Sequence, residues 1–256
     1  MQTLGIMAAL HEEIADLLGQ MESVRTRHIG MREYHEGSLH GHPCVVVLAR
    51  VGKVAAAATA VTLIREFGVD RLFFTGLAGG VADTVRVGDV VIGTSLLQHD
   101  MDASPLFPRH QIPLLGVSSI DADSELSRAA EQSARAFLED DWARNISPST
   151  RRAFGLSEPR VHTGLIVSGD QFVSGQTCVH ALRDALPDAL CVEMEGAAVA
   201  QICHEYGARF AVIRTVSDRA DETAGFDFNS FLQSVASRYS AGILRRMLAA
   251  ECVDPS

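Results

Sequence analysis

Two kinds of segment alternate along the chain, and they differ in the spacing of their hydrophobic positions. Short, nearly continuous apolar runs are typical of buried strands. The first three are TLGIMAAL at 3–10, CVVVLAR at 44–50 and RLFFTG at 71–76. Apolar residues three or four positions apart predict helices in HEEIADLLGQM at 11–21 and in the alanine-rich segment that ends at Gly68.

The same alternation continues in the second half of the chain. Strands are predicted in GDVVIGTSLL at 88–97, VHTGLIVS at 161–168, LCV at 190–192 and RFAVIRTVSD at 209–218. The stretch GLAGG at 76–80 predicts a turn, and the amphipathic pattern near the C-terminus predicts a helix from about 229 to 250. Apolar strands that alternate with helices predict an α/β fold with its sheet covered on both faces.

Residues 101–160 break this regularity. They hold five of the eight prolines of the chain, Pro105, Pro108, Pro113, Pro148 and Pro159, and predict one helix around 122–140. We interpret this part as a variable insertion or active-site loop region. Because no internal repeat or linker is evident elsewhere, we expect a single domain over residues 1–256.

Composition and charge exclude several classes of function. The 256 residues are 47% hydrophobic and 21% charged, which is ordinary for a globular protein. A net charge of −10 argues against a nucleic-acid partner. The five cysteines form no CxxC pair, which favours free thiols in a reducing compartment over disulfides or a zinc site. With no basic segment before the first apolar run and no membrane-length apolar stretch, we expect a cytoplasmic protein.

Polar residues of a restricted kind follow four of the predicted strands. They are Glu12-Glu13, Ser168-Gly169-Asp170-Gln171-Phe172, Glu193-Met194-Glu195 and Ser217-Asp218. A single acidic residue at such a junction commonly stabilises the N-terminus of the next helix. Four such ends with hardly a basic residue among them favour a pocket instead, because ligands gather where the strands of these sheets end. We therefore expect a site for a neutral, hydroxyl-rich ligand.

Seven distinctive stretches extend over nearly the whole chain: GIMAALHEEI, VGKVAAAATA, TGLAGG, VGDVVIG, GLIVSGDQFV, VEMEGAAVAQIC and VIRTVSD. In this order they resemble the 5′-methylthioadenosine/S-adenosylhomocysteine nucleosidases of the nucleoside phosphorylase superfamily. The resemblance implies a three-layer sandwich with a central mixed sheet flanked by helices. It also implies a homodimer that hydrolyses the N-glycosidic bond of an adenine nucleoside with water, without a cofactor or a metal.

The resemblance assigns three carboxylates to the reaction. Asp218 would protonate adenine N7, with Ser217 positioning its side chain, because adenine leaves poorly as an anion. Glu13 would activate the attacking water, and Glu12 is the less favoured neighbour. Glu195 would accept hydrogen bonds from the ribose 2′- and 3′-hydroxyls and favour the developing cation.

Other residues match positions that bind the nucleoside in the family, although each is also compatible with ordinary packing. Phe172 would stack on adenine, the backbone of Val173 would bind its edge, and Met194 would pack on the ribose. Phe228, or less directly Phe226, would lie near the 5′-substituent with Val51 on the opposite wall. A loop of the second subunit would complete that end with Leu106, Phe107 and Pro113.

Two residues depart from the family pattern and leave alternatives open. Leu77 replaces a small polar residue expected near the attacking water. Arg50 replaces a small residue and could bind phosphate, which would favour a purine nucleoside phosphorylase, although Glu13 would repel that phosphate. A non-catalytic nucleoside-binding protein is a further alternative, against which the joint presence of Glu13, Glu195 and Asp218 argues. Glu193 has no assigned partner.

Overall fold

The computed structural model describes residues 3–220 and 224–251, apart from the side chains of residues 226, 227 and 251. Ten strands lie in these ranges: β1 (Thr3–Ala8), β2 (Glu22–Ile29), β3 (Arg32–Leu39), β4 (His42–Leu48), β5 (Val69–Gly80), β6 (Val90–Gln98), β7 (Ser119–Asp121), β8 (Val161–Ser168), β9 (Ala189–Glu193) and β10 (Arg209–Asp218). The helices there are α1 (His11–Leu18), α2 (Lys53–Phe67), α3 (Ser124–Ala136), α4 (Trp142–Asn145), α5 (Pro148–Ala153), α6 (Gln176–Ala185), α7 (Gly196–Tyr206), α8 (Ala224–Phe231) and α9 (Ser237–Glu251). Two π-helical segments, Phe137–Asp141 and Leu232–Ala236, connect α3 to α4 and α8 to α9.

The strands form one mixed sheet that curls on itself. Its order is β10-β6-β8-β9-β5-β1-β4-β3-β2, with β7 beside β6 and an additional pairing between β10 and β5. The β5–β10 pairing closes a ring of five strands, while β1, β4, β3 and β2 extend from β5 as an open wing. β1, β4, β5 and β10 run parallel to one another, as do β6, β8 and β9, and the two groups meet in the antiparallel pairs β10–β6 and β5–β9.

Helices cover both faces of this sheet, as the apolar runs predict. Along β1, Ile6 belongs to a core cluster shared with α1, α3 and α9, whereas the next residue, Met7, belongs to a cluster shared with α2 and α7. Phe73 and Phe74 divide between the same two clusters. Successive strand residues point to opposite faces, so a strand with both faces buried is apolar throughout. The predicted mixed sheet flanked by helices is confirmed.

The stretch GLAGG does not form the predicted turn. Residues 76–80 instead belong to the end of β5, where Gly76 pairs with Arg214 and Gly79 with Asp218 of β10. Glycines are needed there because neighbouring side chains fill the space that a Cβ would occupy. The interpretation as a turn failed because it considered glycine only as a turn residue.

Two parts of the fold have no counterpart among the sequence predictions. The hairpin of β2 and β3 is largely polar and forms the outer edge of the wing, so its strands lack an apolar run. Its two-residue loop places Gly30 and Met31 at positive φ, as hairpin turns of this length require. Helix α6, which follows the polar loop after β8, was also not predicted.

Residues 101–160 are more regular than a loop region. The predicted helix is present as α3 and continues through the π-helical segment into α4, and α5 and β7 add further structure. Helix α3 and the π-helical segment after it pack into the core beside α9, with Leu126, Ala130 and Phe137 among the buried residues there. The interpretation as a loop is therefore wrong for about the second half of this part, and its variability stays a prediction.

Within the described part of the chain, no helix has the length and apolarity that a membrane crossing demands. Free thiols are found at Cys44, Cys178, Cys191 and Cys203, and Cys252 lies outside the described residues.

Candidate active site

The four polar strand ends meet around a single cavity of about 600 Å³. Its floor and walls come from the ends of β1, β5, β9 and β10, from the start of α1, and from the loop after β8. A volume of this size is in the range of sites that bind nucleoside-sized ligands. The lining includes Ala9, Leu10, Glu12, Glu13, Val51, Leu77, Ala78, Gly79, Gln171, Phe172, Val173, Val192, Glu193, Met194, Glu195, Asp218, Phe228, Asn229, Leu232 and Gln233.

Glu13 is held in the third position of α1 by backbone donors. Its Oε2 accepts hydrogen bonds from the N–H groups of Ala9 and Leu10, both at 2.9 Å, and its Oε1 accepts one from Leu77 at 3.0 Å. Burial raises the pKa of Glu13 above its ordinary value, although the charge of Arg214 and the three N–H groups act in the opposite direction. A buried carboxylate with a raised pKa suits proton transfer near neutral pH.

Glu193, which had no assigned partner, forms a buried ion pair with Arg214. The Nη2 of Arg214 lies 2.6 Å from Oε2 of Glu193, and both side chains are almost fully buried. The guanidinium also lies 4.0 Å from the ring centroid of Phe74 on β5. Removing one partner of a buried pair costs about 3–5 kcal/mol, because it leaves the other charge buried and uncompensated.

Glu193 also caps helix α7. Its carboxylate accepts hydrogen bonds from the N–H of Glu195 at 3.1 Å and of Gly196 at 2.9 and 2.8 Å. Ser168 donates its hydroxyl to Glu193 and accepts from the N–H of Ala197 at 2.7 Å. These contacts satisfy the first N–H groups of α7 and fix the backbone at Glu195.

Gly76 lets the two buried charges of this region approach each other. A Cβ on Gly76 would lie 2.7 Å from Oε1 of Glu13 and 3.1 Å from Nη1 of Arg214. No side chain fits between them, so the glycine permits Arg214 to act electrostatically on Glu13.

Glu195 lies at the start of α7 and is 5% exposed. Its Oε1 accepts a hydrogen bond from the N–H of Gly52 at 2.8 Å. Burial, together with the charge of Glu193, raises the pKa of Glu195 to about 8. A carboxyl group with so few donors around it gains from any hydroxyl group that donates to its charged form.

Asp218, at the end of β10, is held by its neighbours in the chain. The hydroxyl of Ser217 donates to Oδ2 at 2.7 Å, and the N–H of Ala220 donates to Oδ1 at 2.8 Å. The same hydroxyl lies 3.4 Å from the carbonyl of Ala78, which gives it a second acceptor. Ser217 can therefore accept a hydrogen bond from a protonated Asp218 while it donates to that carbonyl.

Apolar side chains form the remaining walls. Phe172, 48% exposed, packs edge-on against Phe228, with their ring centroids 5.8 Å apart. Val51, Val173 and Met194 also line the cavity. Leu77 lines it as well, while its side chain packs into the core shared with α1.

Several predicted residues do not line the cavity of their own chain: Arg50, Leu106, Phe107, Pro113 and Ser217, the last of which contacts Asp218 instead. Arg50 is exposed and donates to the carbonyl of Met31 at 2.6 Å, so the proposal that it binds phosphate in the site is wrong. Leu106 is 84% exposed. The side chain of Phe226 lies outside the described residues.

The residues that the structure places around the cavity are rich in carboxylates. Glu12, Glu13, Glu193, Glu195 and Asp218 are among them, and none of the described lining residues is a lysine, an arginine or a histidine. Within the residues that the structure describes, no group of three or more His, Cys, Asp and Glu side chains is arranged to hold a metal ion. The site therefore offers acceptors and proton donors rather than an anion-binding surface.

Comparison with known proteins shows full-length similarity. Residues 3–249 match the family model of the phosphorylase superfamily. A 5′-methylthioadenosine/S-adenosylhomocysteine nucleosidase of Shewanella baltica is 32% identical over 253 residues, which are 99% of this chain and 98% of that protein. The crystal structure of such a nucleosidase from Neisseria meningitidis, in complex with methylthio-immucillin-A, has a TM-score of 0.85 and 35% identity over 98% of this chain and 100% of that one. A futalosine hydrolase of Helicobacter pylori has a TM-score of 0.83 and 30% identity over 97% and 98% of the two chains.

Proposed function

The chain belongs to the phosphorylase superfamily and, within it, to the 5′-methylthioadenosine/S-adenosylhomocysteine nucleosidases, and from this premise we propose how its site cleaves those two nucleosides. The reaction is hydrolysis of the N-glycosidic bond, which releases adenine and a 5-thio-substituted ribose. Asp218 acts as the acid, Glu13 as the base, and Glu195 holds the ribose.

The observation that carries hydrolysis over phosphorolysis is that the described cavity lining holds no basic side chain that could bind phosphate. Phosphate sites in proteins use arginine, lysine or clustered N–H donors. Here the described lining contains five acidic side chains and no basic one. A phosphate charge about 4 Å from ionised Glu13 would be repelled by about 4 kcal/mol at the effective dielectric constant of a protein surface. Water meets no such barrier.

Departure of adenine requires a proton on N7. We assign this proton transfer to Asp218, because its side chain lines the cavity. Ser217 and Ala220 each donate a hydrogen bond to one of its two carboxylate oxygens and so fix its orientation. The proton leaves Asp218 as the glycosidic bond lengthens, and the hydroxyl of Ser217 then donates to the new carboxylate. Such a positioned acid typically contributes about 10²–10⁴-fold to the rate.

The water that attacks C1′ needs a base on the other side of the sugar. Oε2 of Glu13 already accepts two N–H groups, whereas Oε1 accepts one and retains a lone pair for a water. Glu13 takes one proton from that water while Asp218 gives one to adenine, so the site carries the same number of protons before and after cleavage. Glu195 accepts from the ribose hydroxyls, and its charge stabilises the oxocarbenium-like transition state.

Adenine release from 5′-methylthioadenosine, measured with and without added phosphate, tests this function. We expect equal rates in both buffers. A strict dependence on phosphate would contradict hydrolysis, and no release from any purine nucleoside would favour a binding protein.

Asp218→Asn tests the acid assignment. We expect turnover to be lost by about 10²-fold or more while nucleoside binding stays measurable, because asparagine keeps the shape but holds no transferable proton. Wild-type-like rates in this variant would remove Asp218 from its role. Asp16→Asn, on the exposed side of α1, is a matched control that should leave the rate unchanged.

We also propose a homodimer in which the segment 99–113 of one copy closes the cavity of the other. Leu106 and Leu114 are 84% and 94% exposed, and Val51 and Phe172 are half-exposed at the cavity rim. Burial of such residues favours association. Sedimentation velocity should give a mass of two chains, and Leu106→Glu should lower both the mass and the affinity for 5′-methylthioadenosine.

The free thiols of the described cysteines are consistent with a cytoplasmic location.

A further inference from the structure

The N-terminus of helix α2 meets two carboxylates that belong to other parts of the chain. The N–H of Gly52 donates to Oε1 of Glu195 at 2.8 Å, and the N–H of Lys53 donates to Oδ1 of Asp170 at 2.8 Å. Gly52 has a φ of +99°, which only glycine adopts readily. The first turn of α2 therefore holds the proposed ribose acceptor and, through Asp170, the loop that presents Phe172.

The side chain of Lys53 connects this turn to the end of strand β6. Its Nζ donates to Oδ1 of Asp100 at 2.6 Å and to Oε1 of Gln98 at 3.1 Å, and it lies 3.9 Å from Oδ2 of Asp170. The N–H of Asp170 in turn donates to Oδ2 of Asp100 at 2.9 Å. One ammonium group thus joins three chain segments: the start of α2, the end of β6 and the loop after β8.

Lys53 is the only lysine among the 22 lysine and arginine residues of the sequence. An ammonium group is a compact charge with three donors, whereas a guanidinium group is planar and presents its donors as a fork. The contacts of Nζ require one small group that donates in separate directions, toward Gln98 and toward Asp100. This requirement accounts for a lysine where every other such cation of the chain is an arginine.

The hydrogen bond from Lys53 favours the charged form of Asp100. Burial acts to raise the pKa of Asp100, but the hydrogen bonds from Lys53 and from the N–H of Asp170 outweigh it and hold that pKa below its usual range. The side chains of Lys53 and Asp100 are only 16% and 26% exposed, so solvent screens their attraction partially.

We infer that Lys53 is a positioning residue for the nucleosidase reaction: its ammonium group fixes Asp100 and Asp170 so that the Gly52 N–H stays on Glu195 and the Phe172 loop keeps its place. Lys53 is not among the described residues that line the cavity, so it acts through these groups rather than on the nucleoside. The inference rests on the proposed function, because Lys53 supports the proposed role of Glu195 as the ribose acceptor.

The physical consequence concerns the charge of Glu195. The Gly52 N–H is one of the few groups that lower the pKa of this carboxyl group, which burial has raised. When Lys53 no longer holds the loop, this hydrogen bond weakens and Glu195 binds its proton more tightly. A larger fraction of the enzyme then has a neutral Glu195 near pH 7, where the reaction needs the charged form.

The test compares Lys53→Met with Lys53→Arg and with Arg135→Met, a control that breaks an exposed ion pair on α3. We expect Lys53→Met to lower kcat/KM for 5′-methylthioadenosine about 10–100-fold, as loosened positioning of a catalytic group does. The acidic limb of its pH profile should move to higher pH. Lys53→Arg should recover part of the rate, and the control should match the wild type. A lower unfolding temperature with an unmoved pH profile, or a rate within twofold of the wild type, would overturn the inference.

Asp100→Asn provides a second, independent variant in case Lys53→Met does not fold. It removes the charge that Lys53 contacts, and we expect the same upward movement of the acidic limb; an unmoved limb would contradict the role. Calorimetric binding of a non-hydrolysable 5′-thioadenosine analogue separates this inference from the proposed function. A wild type that binds the analogue without cleaving nucleosides would refute the function alone, whereas equal affinities of the wild type and the variants would refute the role of Lys53.

Discussion

Glu195→Gln should stabilise the folded protein while it abolishes most of its activity. The pKa of Glu195 rises from 4.5 to about 8 on folding. Because the folded protein binds this proton more tightly than the unfolded chain, the group supports folding fully below pH 4.5, and this support is lost as the pH rises through about 8. Glutamine stays neutral, and its carbonyl can still accept from the Gly52 N–H.

The magnitude follows from the pKa difference. Each unit corresponds to about 1.36 kcal/mol. At about pH 7.5, three units above the unfolded value, replacing the carboxyl group by a neutral one should raise the free energy of unfolding by up to about 4 kcal/mol. Near pH 5 the same substitution should raise it by less than about 1 kcal/mol. Water that enters the cavity reduces both values, but their order stays the same.

Urea unfolding of the wild type and Glu195→Gln at these two pH values, at equal protein concentration, measures the effect. Glu131→Gln, which removes a partly exposed carboxylate on α3, is the matched control and should show almost no difference between the two pH values. A stabilisation that is the same at both pH values would refute the reasoning, and so would a variant less stable than the wild type at the higher pH.

Three further predictions address the rest of the site. Gly76→Ala should lower kcat/KM about 10²-fold and destabilise the fold by about 1–3 kcal/mol, because its Cβ would displace Glu13 and Arg214; Gly19→Ala should do neither, because a Cβ there meets only ordinary van der Waals contacts at 3.6 and 3.7 Å. Phe172→Ala should raise KM about 10–100-fold with little change in unfolding temperature, because a half-exposed ring contributes mainly stacking on the base; a stability loss without a KM change would contradict this. A nucleoside with a phosphate at its 5′ position should be cleaved with a kcat/KM at least about tenfold below that of 5′-methylthioadenosine, since the cavity lining that the structure describes is acidic; equal values would contradict the electrostatic argument.

The strands and helices that position the site were largely predictable, because their patterns are local. The apolar runs of β1, β8 and β10 and the alanine-rich α2 were identified correctly, and the polar residues that follow the strands meet as expected. The β2–β3 hairpin was missed because an exposed edge needs no apolar face. The glycines of β5 were misinterpreted because they leave room for side chains of distant segments, which the local sequence does not reveal.

The pairing of charges could not be predicted, because it depends on the order of the strands in the sheet. Glu193 and Glu195 flank Met194, and in the sequence only the family resemblance distinguishes them, by assigning Glu195 to the ribose and leaving Glu193 without a partner. The structure separates them: Glu193 faces Arg214, 21 positions further along the chain, whereas Glu195 faces Gly52, 143 positions earlier. Only the neighbouring strands decide which carboxylate is neutralised by a cation and which stays available to a ligand.

The most direct test of the central claim is the identity of the sugar released from 5′-methylthioadenosine in phosphate buffer. Phosphorus NMR and mass spectrometry of the product mixture would follow the sugar while absorbance follows adenine. The account predicts free 5-methylthioribose in equal amount to adenine, with no sugar phosphate formed. A sugar 1-phosphate that accumulates in step with adenine would contradict it.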